Sequence, residues 1–198
     1  YSRYTYDGKS YTEDDWRLRM RREPLAEMYQ VKGSSECAYG VGSTDEECSF
    51  EQVLEPCEPG QEGGCAFRTS FARQGLKAGI ELDRELGFNP LAFGFVAATD
   101  GHNSNPGDAE EWDYVGKAGI VTSPAIRRMR ERPENEPHEN ILTGHGSGGL
   151  AAVWAEENTR DSIFAGMQRR EAYATSGPRI ALRFFAGWDM DATILEAA

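Results

Sequence analysis

The chain has 198 residues, 39% of them hydrophobic and 27% charged, which suits one substantial globular core and argues against a chain disordered throughout. No apolar run approaches the roughly 20 residues that a membrane-spanning helix needs. A formal net charge of −12 argues against a nucleic-acid backbone as a general partner, because such binding rests on clustered Lys and Arg.

In chain order, the basic run Arg17, Arg19, Arg21 and Arg22 before Pro24 reads as a solvated segment. Leu25 to Val31 alternates in strand fashion and runs into the loop Lys32-Gly33-Ser34-Ser35. A cysteine-rich loop over 33–68 follows, holding Cys37, Cys48, Cys57 and Cys65 among Gly, Pro, Glu and Ser. The intervals are 10, 8 and 7 intervening residues, whereas a zinc cluster usually has pairs two to four apart. Three pairings are possible in principle. Sequential disulfides, Cys37–Cys48 and Cys57–Cys65, fit best: they staple a loop too polar to hold itself by burial and imply an oxidising compartment, periplasmic or secreted.

From Ser70 to Leu86 the apolar residues Phe71, Leu76, Ile80 and Leu86 recur at helical spacing, with Thr69 or Ser70 to cap the start and Gly87 to end it. Leu91 to Ala98 is an apolar run after Asn89-Pro90, as expected of a strand buried on both faces. Helix followed by buried strand is half of an α/β repeat. Residues 103–148 read as a long irregular insertion, in which Gly146 to Gly149 is a flexible linker and His138 and His145 are ordinary loop histidines. Leu150 to Ala155 reads as a strand, and Asn158 or Thr159 then caps a helix carrying Ile163, Phe164 and Met167, with Asp161 and Arg169-Arg170 suiting its dipole. Ala172–Thr175 and Ile180–Phe185 are two further strands around Ser176-Gly177-Pro178, and Trp154 and Trp188 are expected in the core. The chain opens at Tyr1 and stops at Ala198 just after an apolar stretch; this reads as a fragment of a longer domain.

Chemistry concentrates at Thr99-Asp100-Gly101-His102-Asn103, at the carboxyl end of the buried strand. In α/β folds that end is where exposed loops carry catalytic groups on a fixed strand. A carboxylate and an imidazole two residues apart suit zinc, manganese or iron. Lys32 and Glu36, just past the first strand, are placed to hold an anionic substrate group and to accept a proton. Tyr173, Thr175, Ser176 and Arg179 combine hydroxyls and a cation around a glycine, a set able to grip an anion. No nucleophile elbow, Rossmann fingerprint, Walker loop or kinase signature occurs, which leaves metal-activated water as the chemistry.

The stretches Arg21 to Glu36, Phe93 to Asp108 and Gly149 to Ile180 together resemble an uncharacterised bacterial domain-of-unknown-function family, thirty-six-oh-four, commonly placed with the PHP (polymerase and histidinol phosphatase-like) metal-dependent hydrolases. The resemblance implies an α/β fold, with residues 1–198 the C-terminal portion of a single distorted (β/α) barrel of PHP type. It implies two or three divalent metals in the full protein, the last motif, D-x-H, mapping onto Asp100 and His102. PHP proteins also carry an H-x-H near the N-terminus and further His and Glu ligands; none has a counterpart here, so the upstream part of the same protein is the expected partner in the site. The implied function is hydrolysis of a small-molecule ester, first a phosphoester, with Asp100 and His102 as metal ligands, Glu36 as proton acceptor, and Lys32, Asn103, Tyr173, Ser176 and Arg179 binding substrate. Two alternatives remain: a non-catalytic, disulfide-stapled binding module on the same barrel, and a hydrolase of sulfate or carboxylic esters.

Overall fold

The computed structural model describes residues 2–50, 52, 56–61, 65–102, 104–110, 148–191 and 193. Asn103, His138, His145 and most of the 103–148 insertion lie outside them. The first element is a helix, α1 (Glu13–Arg22), where a solvated run was expected. Thr12 and Asp15 close a reciprocal capping box, three acidic residues fill the first turn, and Arg19, Arg21 and Arg22 fill the last, complementing the dipole at both ends. Arg17, Arg21 and Arg22 do face solvent, Arg17 paired to Glu13, whereas Arg19, paired to Glu23, is half-buried. The same helix also carries Trp16, 3% exposed, into a core with Ala78, Leu82 and Leu91.

Strand β1 (Leu25–Gln30) turns back through Val31-Lys32 into the short antiparallel β2 (Gly33–Ser34), with Gln30 opposite Gly33. A single 3-10 turn (Arg68–Ser70) then leads into α2 (Ala72–Leu86). The cap of α2 corrects the sequence expectation: Phe71 occupies the N-cap with no side-chain hydrogen bond, because its ring is buried with Ala38 and Ala66. Gly87, at φ 74, ends the helix as expected.

Strand β3 (Gly94–Ala97) lies parallel to β1, so that β1, α2 and β3 form a crossover unit. It is shorter than the apolar run that announced it and mostly half-buried; Leu91 belongs to the helical core instead. Strands β4 (Leu150–Val153) and β5 (Ala172–Thr175) form an antiparallel pair in register from Leu150–Thr175 to Val153–Ala172. Between them α3 (Arg160–Gln168) starts on its Thr159 cap and packs Gly166 against Trp154 and Val153. Phe164 on α3 is exposed.

Gly149 donates a backbone hydrogen bond to Ala98 O at 2.9 Å, joining the start of β4 to the end of β3. The approach explains two glycines: a Cβ on Gly148 would meet Thr99 Cα at 2.7 Å, and one on Gly149 would meet Ala97 Cβ at 2.6 Å. Gly148 and Gly149 are therefore a packing surface as well as a connection. Among the described residues the strands form these two small sheets and no closed ring.

Residues 178–191 are not a strand, contrary to the reading of Ile180–Phe185. They run as irregular chain held by the Tyr173 hydroxyl, which donates to Ile180 O at 2.6 Å and accepts from Leu182 N–H at 3.2 Å. Among the described residues no strand pairs with this run, and Phe184 and Trp188 are exposed. Trp188 and the partly exposed Trp154 are thus not core residues; among the described residues Trp16 is the buried tryptophan.

Both expected disulfides are present, Cys37–Cys48 and Cys57–Cys65. The loop they staple also has its own small core of Ala38, Ala66 and Phe71 with Val41 against it, so burial contributes where cross-links alone were expected. Trp16→Ala should destabilise the fold by about 3–5 kcal/mol, as for other buried aromatic truncations. Urea denaturation of the two proteins measures this, and a change below about 1 kcal/mol would show that α1 does not anchor the core.

Candidate functional site

The parallel pairing of β1 with β3 continues past both strands. Ala98 N–H donates to Tyr29 O at 3.1 Å and Val31 N–H to Thr99 O at 3.2 Å. Val31 is wholly buried, which fixes the hairpin tip that carries Lys32. The segments after the two strands therefore emerge at one edge: Lys32 from β1, and Thr99, Asp100 and His102 from β3.

Asp100 adopts φ 51, left-handed backbone that Asp tolerates better than most residues. Gly101 N–H donates to Thr99 Oγ1 at 3.1 Å across the same turn. The bend brings the two predicted ligands together: His102 Nε2 lies 3.2 Å from Asp100 Oδ1, with the side chains 63% and 38% exposed. A carboxylate oxygen and an imidazole nitrogen converging on one side of a turn are chemically suited to share a divalent cation. Two donors alone make an incomplete site, and among the described residues no group of three or more His, Cys, Asp or Glu side chains is arranged to hold a metal. Asp108, on the same loop, is buried, and its Oδ2 has no hydrogen-bond partner among the described residues. Sequence reasoning passed over it, although a buried carboxylate of this kind calls for an explanation.

Lys32 is half-buried, and its Nζ is hydrogen-bonded to Ser35 Oγ. Burial holds its pKa below the ordinary lysine range, against the opposing pull of the Glu27 and Asp100 charges. Lys32 and Asp100 are thus near enough to feel one another. Glu36 faces elsewhere: its Oε1 accepts from Arg73 Nε at 2.8 Å, and Arg73 Nη1 reaches Asp45 Oδ2 at 2.7 Å. That pairing holds the Asp45 carboxyl below its usual range.

At the end of β5, Ser176 is exposed and Thr175 Oγ1 accepts from Gly177 N–H at 3.4 Å. Arg179 turns to the loop after β3, donating to Glu110 Oε1 at 2.9 Å and Gly107 O at 3.3 Å. Both hydrogen bonds of the Tyr173 hydroxyl go to backbone, as described above. Asn103 lies outside the described residues. Of the predicted set, then, the structure brings Asp100, His102 and Lys32 to one edge and commits Glu36, Tyr173 and Arg179 to partners of their own.

A cavity of about 220 Å³ opens beside Lys32, lined also by Ser35, Gln52, Cys65, Ala66 and Phe71. A second, of about 150 Å³, lies between α1, β1 and α2 with Arg19, Glu23 and Leu25 in its wall. Asp100 and His102 line neither. Gln52 is held in place by its Nε2, which donates to Cys37 O at 3.0 Å. No local sequence pattern signals Gln52 or Phe71 as site residues, because the disulfide loop brings them to Lys32 from far along the chain.

The depressed Lys32 pKa has a consequence for stability. The unfolded chain binds the proton more readily than the folded one, so Lys32 detracts from stability at neutral pH. Stability is regained as pH rises from the lowered folded value towards the ordinary lysine value of about 10.4. Lys32→Met should accordingly be more stable than wild type at neutral pH, with the advantage shrinking as that window is crossed. Urea midpoints measured across the alkaline range test this; an advantage that does not change with pH would contradict it.

None of the curated proteins and none of the solved structures matches the chain. The family model described as Protein of unknown function (DUF3604) matches residues 1–198. The chain, with the edge that gathers Asp100 and His102, therefore belongs to the DUF3604 family.

Proposed function

We propose that the chain forms part of a metal-dependent hydrolase of PHP type acting on a phosphoester, on a frame related to the distorted (β/α) barrel. The observation that carries the reading is the pair Asp100 Oδ1 and His102 Nε2, 3.2 Å apart at the end of a strand parallel to its neighbour. Asp100 sits in the left-handed region, a conformation that non-glycine residues keep mostly where turn or function demands it. When bound, a divalent ion (zinc, manganese or iron) supplies Lewis-acid polarisation of the ester oxygen and a lowered pKa for its water. Asp100 and His102 are assigned as two of its ligands, the others coming from outside the described residues.

The chain's own side chains then divide the remaining work. Lys32, without a carboxylate at ion-pair distance among the described residues, is the cation for the substrate's anionic group. Ser176 offers an exposed hydroxyl at the end of β5. The two disulfides are consistent with an oxidising compartment and support a periplasmic or secreted protein, and among the described residues no helix is long and apolar enough to cross a membrane.

Asp100→Ala and His102→Ala, each made in the full-length protein, should lower bound metal and reduce phosphoester turnover by at least about a hundredfold while leaving the thermal midpoint within a few degrees of wild type. Loss of a ligand misplaces the reacting centre without opening the core. Metal analysis, a screen of phosphate, sulfate and carboxylate esters, and thermal melts together provide the check. Wild-type turnover and metal content in either variant would make the pair structural, and turnover of sulfate or carboxylic esters alone would reassign the substrate.

A further inference from the structure

Lys32 and its cavity pose a problem separate from the Asp100–His102 pair. A half-buried ammonium loses hydration that its surroundings must replace. Here the described surroundings return one hydroxyl, Ser35 Oγ, and no ion-paired carboxylate. The lining also holds apolar groups: Phe71 and Ala66 belong to the small core of the disulfide loop, and Cys65 carries its bridge to Cys57. The amide of Gln52 is pinned by its bond to Cys37 O. A cation, the hydroxyls of Ser34, Ser35 and Ser70, and the apolar groups of Ala66 and Phe71 around about 220 Å³ describe a binding site for a molecule smaller than the usual drug-sized ligand.

We propose that this cavity binds a small organic anion, its phosphonate-, phosphate- or carboxylate-like head on Lys32 and Ser35 and its short apolar part against Phe71, Ala66 and the Cys57–Cys65 disulfide. The head completes the solvation that burial takes from the ammonium, and a charge-assisted hydrogen bond in such a place is stronger than one at the open surface. Burial depresses the Lys32 pKa, in accord with a positive charge short of partners. The disulfide fixes one wall, so the cavity depends on the oxidised loop. The assignment deepens the hydrolase reading by naming the part of a substrate that Lys32 takes. It rests on that reading only for calling the ligand a substrate, because the cavity needs no metal.

The probe is phenylphosphonate, whose carbon–phosphorus bond is not an ester linkage, titrated into the protein in the presence of a chelator and followed by calorimetry and amide chemical shifts. Phenylphosphonate should bind and shift the amides of Lys32, Gln52, Ala66 and Phe71. Inorganic phosphate should bind more weakly, and neutral benzyl alcohol much more weakly. Lys32→Met should weaken phenylphosphonate by about tenfold or more, with a circular-dichroism spectrum and thermal melt confirming the fold. Asp100→Ala, which removes a carboxylate whose charge Lys32 feels, and His102→Ala should both bind it no more weakly than wild type, so failure of the metal reading leaves this result standing. Shifts elsewhere on the wild-type protein, equal binding of benzyl alcohol, or undiminished binding by folded Lys32→Met would overturn the proposal.

Discussion

The register between β1 and β3 is the constraint on which the site depends. Their pairing runs Leu25–Gly94, Ala26–Phe95 and Glu27–Val96, then skips Met28 and resumes at Tyr29–Ala97. Side chains alternate across a strand, so a slip of one residue exchanges the two faces. By absorbing Met28, the irregularity sets which side Tyr29, Val31 and the hairpin tip present when they meet Ala97 to Thr99. The two backbone bonds beyond the strands, Ala98 to Tyr29 and Val31 to Thr99, lock that choice. Bulges near functional edges commonly re-aim a side chain, and here the re-aimed segment ends in Lys32.

A second layer fixes the surroundings of that segment. The cysteine loop is tied to itself by two disulfides and to α2 by polar contacts: Arg73 to Glu36 and Asp45, and Gln74 and Lys77 to Gly42 O. Exposed ion pairs of this kind contribute little individually, whereas each short disulfide loop stabilises by roughly 2–4 kcal/mol. The cross-links and the buried Phe71 therefore decide the shape of the loop, and the charges select its orientation on the helix. The wall opposite Lys32 exists only because these contacts return the chain to the hairpin after some thirty residues.

Local signals in the sequence were legible wherever one residue type has one structural use. Gly87 ends α2, Thr159 caps α3, the alternation from Leu25 gives β1, and the cysteine intervals gave the two bridges. Asp100 and His102 were visible because a turn after an apolar strand is a local pattern. The rest depended on partners. The arginine run concealed α1, although Thr12 and Asp15 stand at capping-box spacing. Ile180–Phe185 has strand composition, yet no strand pairs with it among the described residues. Phe71 fits a helical stripe but is recruited by Ala38 and Ala66 into a different core. The Lys32 cavity has no local pattern at all, since Gln52, Cys65 and Phe71 reach it only through tertiary folding.

The residues of the edge are also those whose local choices run against stability. Lys32 is held where its charge is poorly solvated, Asp100 takes a backbone conformation that most side chains avoid, and Asp108 buries an oxygen without a described partner. Much of the remaining described structure follows ordinary preferences, with a capped α1, a glycine-terminated α2, a buried Val31 and the pairs Arg17–Glu13 and Arg19–Glu23, although Arg170 also takes left-handed backbone and Gln30 Oε1 is also buried without a described partner. Local conflicts at the edge of a mostly consistent fold are in accord with a binding or reactive surface kept at some cost in stability. The clustering matters more than any one of the three, because Lys32 comes from one strand and Asp100 and Asp108 from the loop after another. Lys32 and Asp100 are close enough for their charges to interact, so two of these costs meet where the two parallel strands end.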